Sequence, residues 1–293
     1  MINSLSILIP CFNVSCFGLV RQLHEQAMAI KGLTFEIIVA DDGSTDRQLV
    51  ASNEMIRNLD HCCYIIRQEN VGRAAIRNFL AREAHFDQLL FVDSGVEIHR
   101  PTFLIDYLAQ ADEHSVIVGG VSIPDQKLAQ RLKYRYEKEH ENRHTAACRQ
   151  RQPYQSFRSC NFMIPKRLML AIPFPEQLKR YGYEDVLFGR ALELHQVSVK
   201  HIDDPIAYVH FESNKAFLKK TEEAIDNLKE HVNLLRDYSY LASVAEHLRA
   251  ARLQWLIRII FRVMRKQWKR KLCGDHPSLR IFAMYKLGYY FER

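Results

Sequence analysis

Phe35-Glu36-Ile37-Ile38-Val39-Ala40-Asp41-Asp42-Gly43-Ser44-Thr45-Asp46 decides the fold class of this chain. A run dominated by apolar and β-branched residues, too short for a helix, is stopped by two acids and a glycine, which reads as a buried strand ending in a turn. Gly43 permits a tight turn or the close approach of a ligand. Asp46 stands where it can cap the following helix. Taken alone, Asp-Gly-Ser is turn chemistry. A carboxylate at a strand end also offers acceptors to a ribose or to the imide of a uracil-type base.

The same construction recurs on both sides. Leu5 to Ile9 is stopped by Pro10, Leu89 to Val92 by Asp93, and Val116 to Val118 by Gly119-Gly120; Cys62 to Ile66 is a further short run. Helical stretches lie between them. Phe17 to Ile30 repeats Leu19, Leu23, Ala27 and Ile30 at helical spacing, and Asp46 to Leu59 and Arg73 to Ala84 behave similarly. Strands alternating with helices predict an α/β fold, a mostly parallel central sheet flanked by helices. Ligands of such sheets bind at the carboxyl ends of the strands, where Asp41, Asp42 and Asp93 lie. Beyond residue 125 the pattern changes. A charged, exposed helix is expected over Gln126 to Arg143, and a loop over Ser156 to Pro165 leading into a short strand. Tyr181 to Asp185 reads as a turn opening a helix that runs to Leu194, and a long helix begins near Asn214.

The chain has 293 residues, 47% of them apolar, enough for one large domain or one domain with an appendage. Its net charge of +7 is concentrated: nine cations and no acid lie between Leu248 and Lys271, so the remaining residues sum to −2. Basicity confined to one segment argues against a nucleic-acid-binding globule. Seven scattered cysteines without a Cys-x-x-Cys pair give neither a zinc knuckle nor a dithiol site and read as free thiols of a reducing, cytoplasmic compartment. The N-terminus lacks the basic and apolar regions of a signal peptide. No run approaches the ~18 apolar residues of a membrane span.

Four more stretches turn this outline into a pattern: Ile9-Pro10-Cys11-Phe12-Asn13, then Asn70-Val71-Gly72-Arg73-Ala74-Ala75-Ile76-Arg77-Asn78, then Phe91-Val92-Asp93-Ser94-Gly95, and later Gly182-Tyr183-Glu184-Asp185. Together with Asp41 to Asp46, and in that order, they resemble the motifs of the family 2 glycosyltransferases, which have the GT-A nucleotide-sugar-binding fold. The resemblance covers residues 4–211. It implies a catalytic domain over residues 1–212 and a helical C-terminal extension over 213–293.

The resemblance also implies roles. Pro10, Phe12 and Asn13 line the nucleobase pocket, and Asp41 or Asp42 holds base and ribose. Arg77 contacts the nucleotide, a fixed guanidinium being suited to base edges and phosphate. Asp93, with Ser94 beside it, is the first acid of an Asp-x-Asp motif, which binds Mg²⁺ or Mn²⁺ across a diphosphate. Gly95 stands where the second acid belongs. His210 is the compensating ligand expected, with Glu97 as the alternative. Ser159 to Phe162 falls where relatives wrap a loop against the donor sugar, although Phe162 also reads as core. Asp185 is the expected general base of an inverting transfer, with Glu184 holding the acceptor or the helix N-terminus. The implied function is transfer of a sugar from a nucleotide-diphosphate donor, a uridine diphosphate sugar by analogy, to a glycan or lipid-linked acceptor in surface polysaccharide synthesis.

In the basic segment, Leu256, Ile257, Ile260, Phe261, Met264 and Trp268 share one helical face, and Arg258, Arg262, Arg265, Lys266 and Lys269 fall opposite, with Trp255 off the apolar face. Such a helix fits peripheral attachment to an anionic membrane at its cytoplasmic face. Packing on the rest of the chain, or on a partner, uses the same face. Two other functions compete. A sugar-nucleotide pyrophosphorylase requires an early Gly-rich basic loop where Pro10 to Asn13 stands. A non-catalytic glycosyltransferase-like binder of nucleotide sugars or partner proteins rests on Gly95.

Overall fold

The computed structural model describes residues 2–178 and 181–292. Its first half alternates strands and helices as β1 (Ser4–Cys11), α1 (Phe17–Ala29), β2 (Thr34–Asp41), α2 (Arg47–Glu54), β3 (Cys62–Ile66), α3 (Arg73–Glu83), β4 (Gln88–Val92), α4 (Phe103–Gln110), β5 (Ser115–Val118) and β6 (Val121–Ser122). There follow α5 (Leu132–Glu139), α6 (Ala146–Arg149), β7 (Asn161–Pro165), α7 (Lys166–Ala171), α8 (Glu184–Leu194), β8 (Ser198–His201) and β9 (Ile206–Ala207). The chain closes with α9 (Asn214–Glu230), α10 (Val232–Leu235), α11 (Tyr240–Ala250), α12 (Gln254–Cys273) and α13 (Leu279–Glu292).

Seven strands form one sheet in the order β3-β2-β1-β4-β7-β5-β8. Every pairing is parallel except those of β7, which runs antiparallel to β4 and β5. The short strands β6 and β9 pair in parallel apart from it. Both faces of the sheet are covered, which is why its strands read as almost unbroken apolar runs. Ile7, Ile9 and Val39 face Leu19 and Leu23 of α1 and Phe103 of α4. Leu8, Ile38 and Phe91 face Ile76 and Leu80 of α3, together with Phe162 and Phe188. Phe91 and Phe162 stack with ring centroids 4.8 Å apart.

The chain divides into two compact units. The first comprises residues 1–124, 143–179 and 188–210 and contains the sheet. The second gathers 125–142, 180–187 and 211–293, so it draws two earlier segments besides the C-terminal helices. In that second unit the helix expected over 126–143 is confined to Leu132–Glu139. Residues before it are held by tertiary bonds instead: Leu132 N donates to Asn214 Oδ1 (2.7 Å), and Gln126 N to the Tyr134 hydroxyl (3.1 Å). Leu132 and Tyr134 are buried, so the helix is not the exposed one its charge suggested.

A buried arginine ties strand ends of the first unit together. Arg149 donates from Nη1 to Val118 O, from Nη2 to Gly119 O and Ile202 O, and from Nε to His144 O, all within 2.7–3.1 Å. Its Nη1 also lies 2.7 Å from His201 Nδ1. Burial, reinforced by the Arg149 charge, pulls His201 down to about 4. The imidazole is therefore neutral at physiological pH, accepts at Nδ1, and donates from Nε2 to Pro153 O (3.0 Å).

Candidate functional site

Four chain segments of the first unit converge beyond the carboxyl ends of β1, β2, β3 and β4, and their polar side chains bond first to one another. At the end of β2, Asp41 is fully buried. Its Oδ1 accepts from Ser44 N (2.7 Å) and its Oδ2 from the Tyr64 hydroxyl (2.6 Å). Burial and the Asp41 carboxylate push the Tyr64 phenol up, so the phenol remains a donor. Asp42, also buried, uses Oδ1 for Val71 N and Oδ2 for Gly72 N, both at 2.9 Å. Desolvation raises its pKa against those hydrogen bonds. The two acids thus shape the β2 turn and pin the loop that leads into α3.

Asn13 bridges β1 to the same turn. Its backbone is left-handed, with φ 51°, which an asparagine tolerates better than most residues. From there its N donates to Ser44 Oγ (2.8 Å), and its Oδ1 accepts from Thr45 N (2.9 Å) and Asp46 N (3.1 Å). Asp46 in turn caps α2 through Gln48 N and Leu49 N. Beside Asn13, Pro10 is half-buried and the Phe12 ring is exposed.

Gly43 lets these loops meet. Its φ is 73°, and a Cβ there falls 2.8 Å from both Asn70 N and Glu69 C, so backbone rather than a flexible side chain blocks any substitution. Gly43→Ala combines left-handed strain of roughly 1–2 kcal/mol with an overpacking cost of similar size. A loss of about 2 kcal/mol or more is expected, read as a lowered thermal transition. An unchanged transition would mean that the two loops separate freely.

Arg77, on α3, is 1% exposed. Nη2 lies 2.6 Å from Asp93 Oδ1 and Nη1 donates to Arg73 O (3.1 Å), while Nε–H is buried and without a hydrogen-bond partner among the described residues. The guanidinium lies 5.7 Å from the Phe174 ring centroid. Asp93, 18% exposed at the end of β4, is fixed on its other side by Asp93 N donating to Cys160 O (2.9 Å), and Ser94 beside it is buried. Arg77 therefore reaches the site through Asp93 rather than through solvent.

The expected cation ligands do not assemble. His210 is exposed, Glu97 is exposed and pairs with His99 at 3.1 Å, and Asp93 is engaged by Arg77. Among the described residues, no group of three or more His, Cys, Asp or Glu is placed to hold a metal ion. The side chains as placed thus do not fit a preformed divalent-cation site. There is room to complete one: a Cβ on Gly95 meets only Val14 Cγ1, at 3.8 Å. Of the expected sugar loop, Asn161 and Phe162 are fully buried. Asn161 accepts from the Tyr107 hydroxyl (2.7 Å) and donates to Gly120 O and Asp204 O, so these two residues serve the core.

In the second unit, a turn with positive φ at Gly182 (101°) and Tyr183 (69°) opens α8. Asn227 of α9 secures it by donating to the carbonyls of Tyr181 and Gly182, both at 3.2 Å. Burial raises the Tyr183 phenol. Glu184 is buried. Asp185 is half-buried, and its Oδ1 is shielded from solvent without a hydrogen-bond partner among the described residues. Asp185 stands in the first turn of α8, where the backbone dipoles favour an acid.

Asp204, which precedes Pro205, was not singled out by the sequence reading. It is 1% exposed, neither carboxyl oxygen has a hydrogen-bond partner among the described residues, and the Arg100 guanidinium is 3.8 Å away. Burial and the nearby Asp106, opposed by Arg100, raise it to about 7.

The sequence pattern of Glycosyl transferase family 2 matches residues 6–172. An uncharacterized glycosyltransferase of Haemophilus influenzae is 31% identical over 93 residues, 31% of this chain and 35% of that protein. Among solved structures, S. aureus TarS residues 1–349 superposes with TM-score 0.54 and 19% identity over 99% of this chain and 90% of that one, and the same fragment is also known in complex with UDP-GlcNAc. Mannosyltransferase PcManGT from Pyrobaculum calidifontis, in complex with GDP-Man and Mn²⁺, gives 0.57 and 12% over 99% and 88%. The match thus spans about a third of the curated relative, and the chain covers 54% of the longer TarS structure. At these identities the structural likeness establishes a shared GT-A fold.

Proposed function

The chain belongs to glycosyl transferase family 2, and from that membership we propose that it is an inverting enzyme transferring a hexosyl or N-acetylhexosaminyl group from a nucleoside-diphosphate sugar to a hydroxyl of a glycan or lipid-linked acceptor. The observation that carries this reading is Oδ1 of Asp185 at the start of α8, shielded and without a hydrogen-bond partner among the described residues. In the reaction, the acceptor hydroxyl loses its proton to Asp185 as its oxygen bonds to the anomeric carbon. The bond from that carbon to the diphosphate oxygen breaks with its electron pair, and configuration inverts. Glu184 braces the helix start or the acceptor. Pro10, Phe12, Asn13, Asp41 and Asp42 frame the nucleoside, and Arg77 sets Asp93, with Ser94, towards the diphosphate. We assign this chemistry to residues 1–212 and the remaining helices to acceptor or surface contacts.

Uridine diphosphate is the leaving group we assign. The choice is supported by family analogy and by the TarS fragment's complex with UDP-GlcNAc; the GDP-Man complex of PcManGT makes guanosine diphosphate the control. A divalent cation at Asp93 and His210 belongs to the expectation from sequence. Those ligands do not come together among the described residues.

A second reading, a non-catalytic nucleotide-sugar or partner-binding protein, is favoured by Gly95 and by the engagement of Asp93 with Arg77. Surface polysaccharide synthesis at the cytoplasmic face of a membrane is the setting we propose, with the protein peripheral; no described helix is long and apolar enough to cross a membrane.

Calorimetric titration tests the donor site. Uridine diphosphate is expected to bind with or without Mn²⁺, and Gly95→Asp is expected to make binding tighter in Mn²⁺ by supplying the missing carboxylate. Absence of binding by both uridine and guanosine diphosphates, in either condition, defeats the donor assignment.

A further inference from the structure

Helix α12 carries two apolar strips, and only one is used by the fold. On the first, Phe261 and Leu272 are fully buried and Ile257, Met264 and Trp268 half-buried. Phe261 packs against Tyr285 of α13 with ring centroids 5.3 Å apart, and against Trp268 at 6.2 Å. It also lies on Gly288, where any Cβ would collide with its ring. Most of the face the sequence singled out as apolar is therefore consumed by packing within the second unit.

The second strip is Trp255, Leu256, Ile259 and Val263, exposed by 57%, 40%, 50% and 74%. Positions 255, 259 and 263 are successive turns of one side of a helix. The cations divide in the same way. Arg258 donates to Phe291 O (2.7 Å), Arg265 pairs with Glu292 (2.9 Å) and Lys269 with Glu222 (3.4 Å). Arg262, Lys266 and Arg270 are exposed and, among the described residues, have no ion-pair partner. By helical geometry they continue the side of Trp255, Ile259 and Val263. The solvent face of α12 is thus apolar in its first half and an uncompensated cation row in its second.

We infer that this face of α12 docks on an anionic lipid surface, with Trp255, Ile259 and Val263 entering the headgroup–acyl boundary and Arg262, Lys266 and Arg270 pairing with lipid phosphates. A helix lying in that plane needs an apolar side to insert and cations to meet the surface potential. Nucleic acid would answer the cations and leave four exposed apolar side chains uncovered. A second copy of the chain would cover the apolar side chains while bringing its own unpaired cations beside these. An anionic phospholipid surface, with acyl chains beside its phosphates, satisfies both halves.

Flotation of the full chain on phosphatidylcholine vesicles, with and without about 30 mol% phosphatidylglycerol, tests this. Binding to the anionic vesicles is expected to exceed binding to neutral ones at least tenfold, and to fall as salt is raised towards about 0.5 M. The variant W255S/I259S/V263S, and separately R262Q/K266Q/R270Q, are each expected to lose that binding by tenfold or more with an unchanged thermal transition, since the altered side chains are exposed. Equal flotation on both vesicle types, or wild-type flotation by both variants, overturns the inference. So does vesicle-free self-association, seen by sedimentation velocity, that W255S/I259S/V263S abolishes.

Discussion

Asp185→Asn is expected to cut the rate of sugar transfer by roughly 10²–10⁴-fold, the range over which a positioned general base contributes, while leaving the dissociation constant of the nucleotide within about twofold of the wild type. The amide has nearly the same shape as the carboxyl, so α8 keeps its start. Asp185 Oδ1 has no hydrogen-bond partner among the described residues, so removing its charge breaks no bond there. What disappears is the capacity to take a proton. Glu184 supplies the contrast: it is buried, and Glu184→Gln is expected to show in the thermal transition as well as in the rate. Transfer measured with donor and acceptor at saturation, beside calorimetric binding of the nucleotide, separates the two. An Asp185→Asn enzyme that retains turnover within a few-fold removes this residue from the chemistry.

Arg77 carries the second large effect. Its side chain is among the largest fully buried in the chain, and its Nη2 is 2.6 Å from Asp93. Arg77→Ala leaves Asp93 without its partner and opens a cavity against Phe174. Removing one member of a buried pair costs about 3–5 kcal/mol. Asp93 retains 18% exposure, which places the expected cost near the lower end, about 3 kcal/mol. At roughly 2–4 °C per kcal/mol for a chain of this size, the thermal transition falls by about 6–12 °C. Arg77→Met, which keeps much of the volume, isolates the charge. The double variant Arg77→Met/Asp93→Leu is expected to be less destabilised than the sum of the singles, because neither charge is then stranded. Strict additivity would mean that the 2.6 Å pair contributes no coupling.

Much of the sheet was legible because the information is local. A run such as Phe35 to Ala40, stopped by Asp41-Asp42-Gly43, sets strand, end and turn without reference to the rest of the chain, and the observed strand differs only by a residue at each end. The start of the long helix near Asn214 was equally local, and Ser213 caps it. What escaped was decided at a distance. The charge density of Gln126 to Arg143 gave no sign that Asn214, more than seventy residues on, would fix where α5 begins. The Arg149–His201 contact joins residues 52 apart, and neither residue type announces burial. Asp204, followed by Pro205, has the composition of an exposed turn, and only the packed fold shows it dry. On α12, helical periodicity found an apolar face and read it as a membrane contact, whereas most of that face packs on α13, and it set Trp255 aside as a blemish. The residues that spoil the simple pattern form a second strip whose exposure depends on which side α13 occupies.

The division of the chain into interleaved units also has a meaning for biosynthesis. Residues 125–142 belong with 211–293, and the sheet-bearing unit lacks β8 and β9 until residue 207 has been made. As the chain leaves the ribosome, Leu132, Tyr134 and Tyr136 emerge well before Asn214, Phe211 and Phe282, the residues that bond or stack on them. Vectorial synthesis therefore presents these apolar surfaces to the cytosol, or to a chaperone, for the time needed to add more than seventy residues, seconds at ordinary elongation rates. A chain stalled before α9 carries this segment without its partners, and Tyr136 waits longest, until Phe282 of α13 has been made.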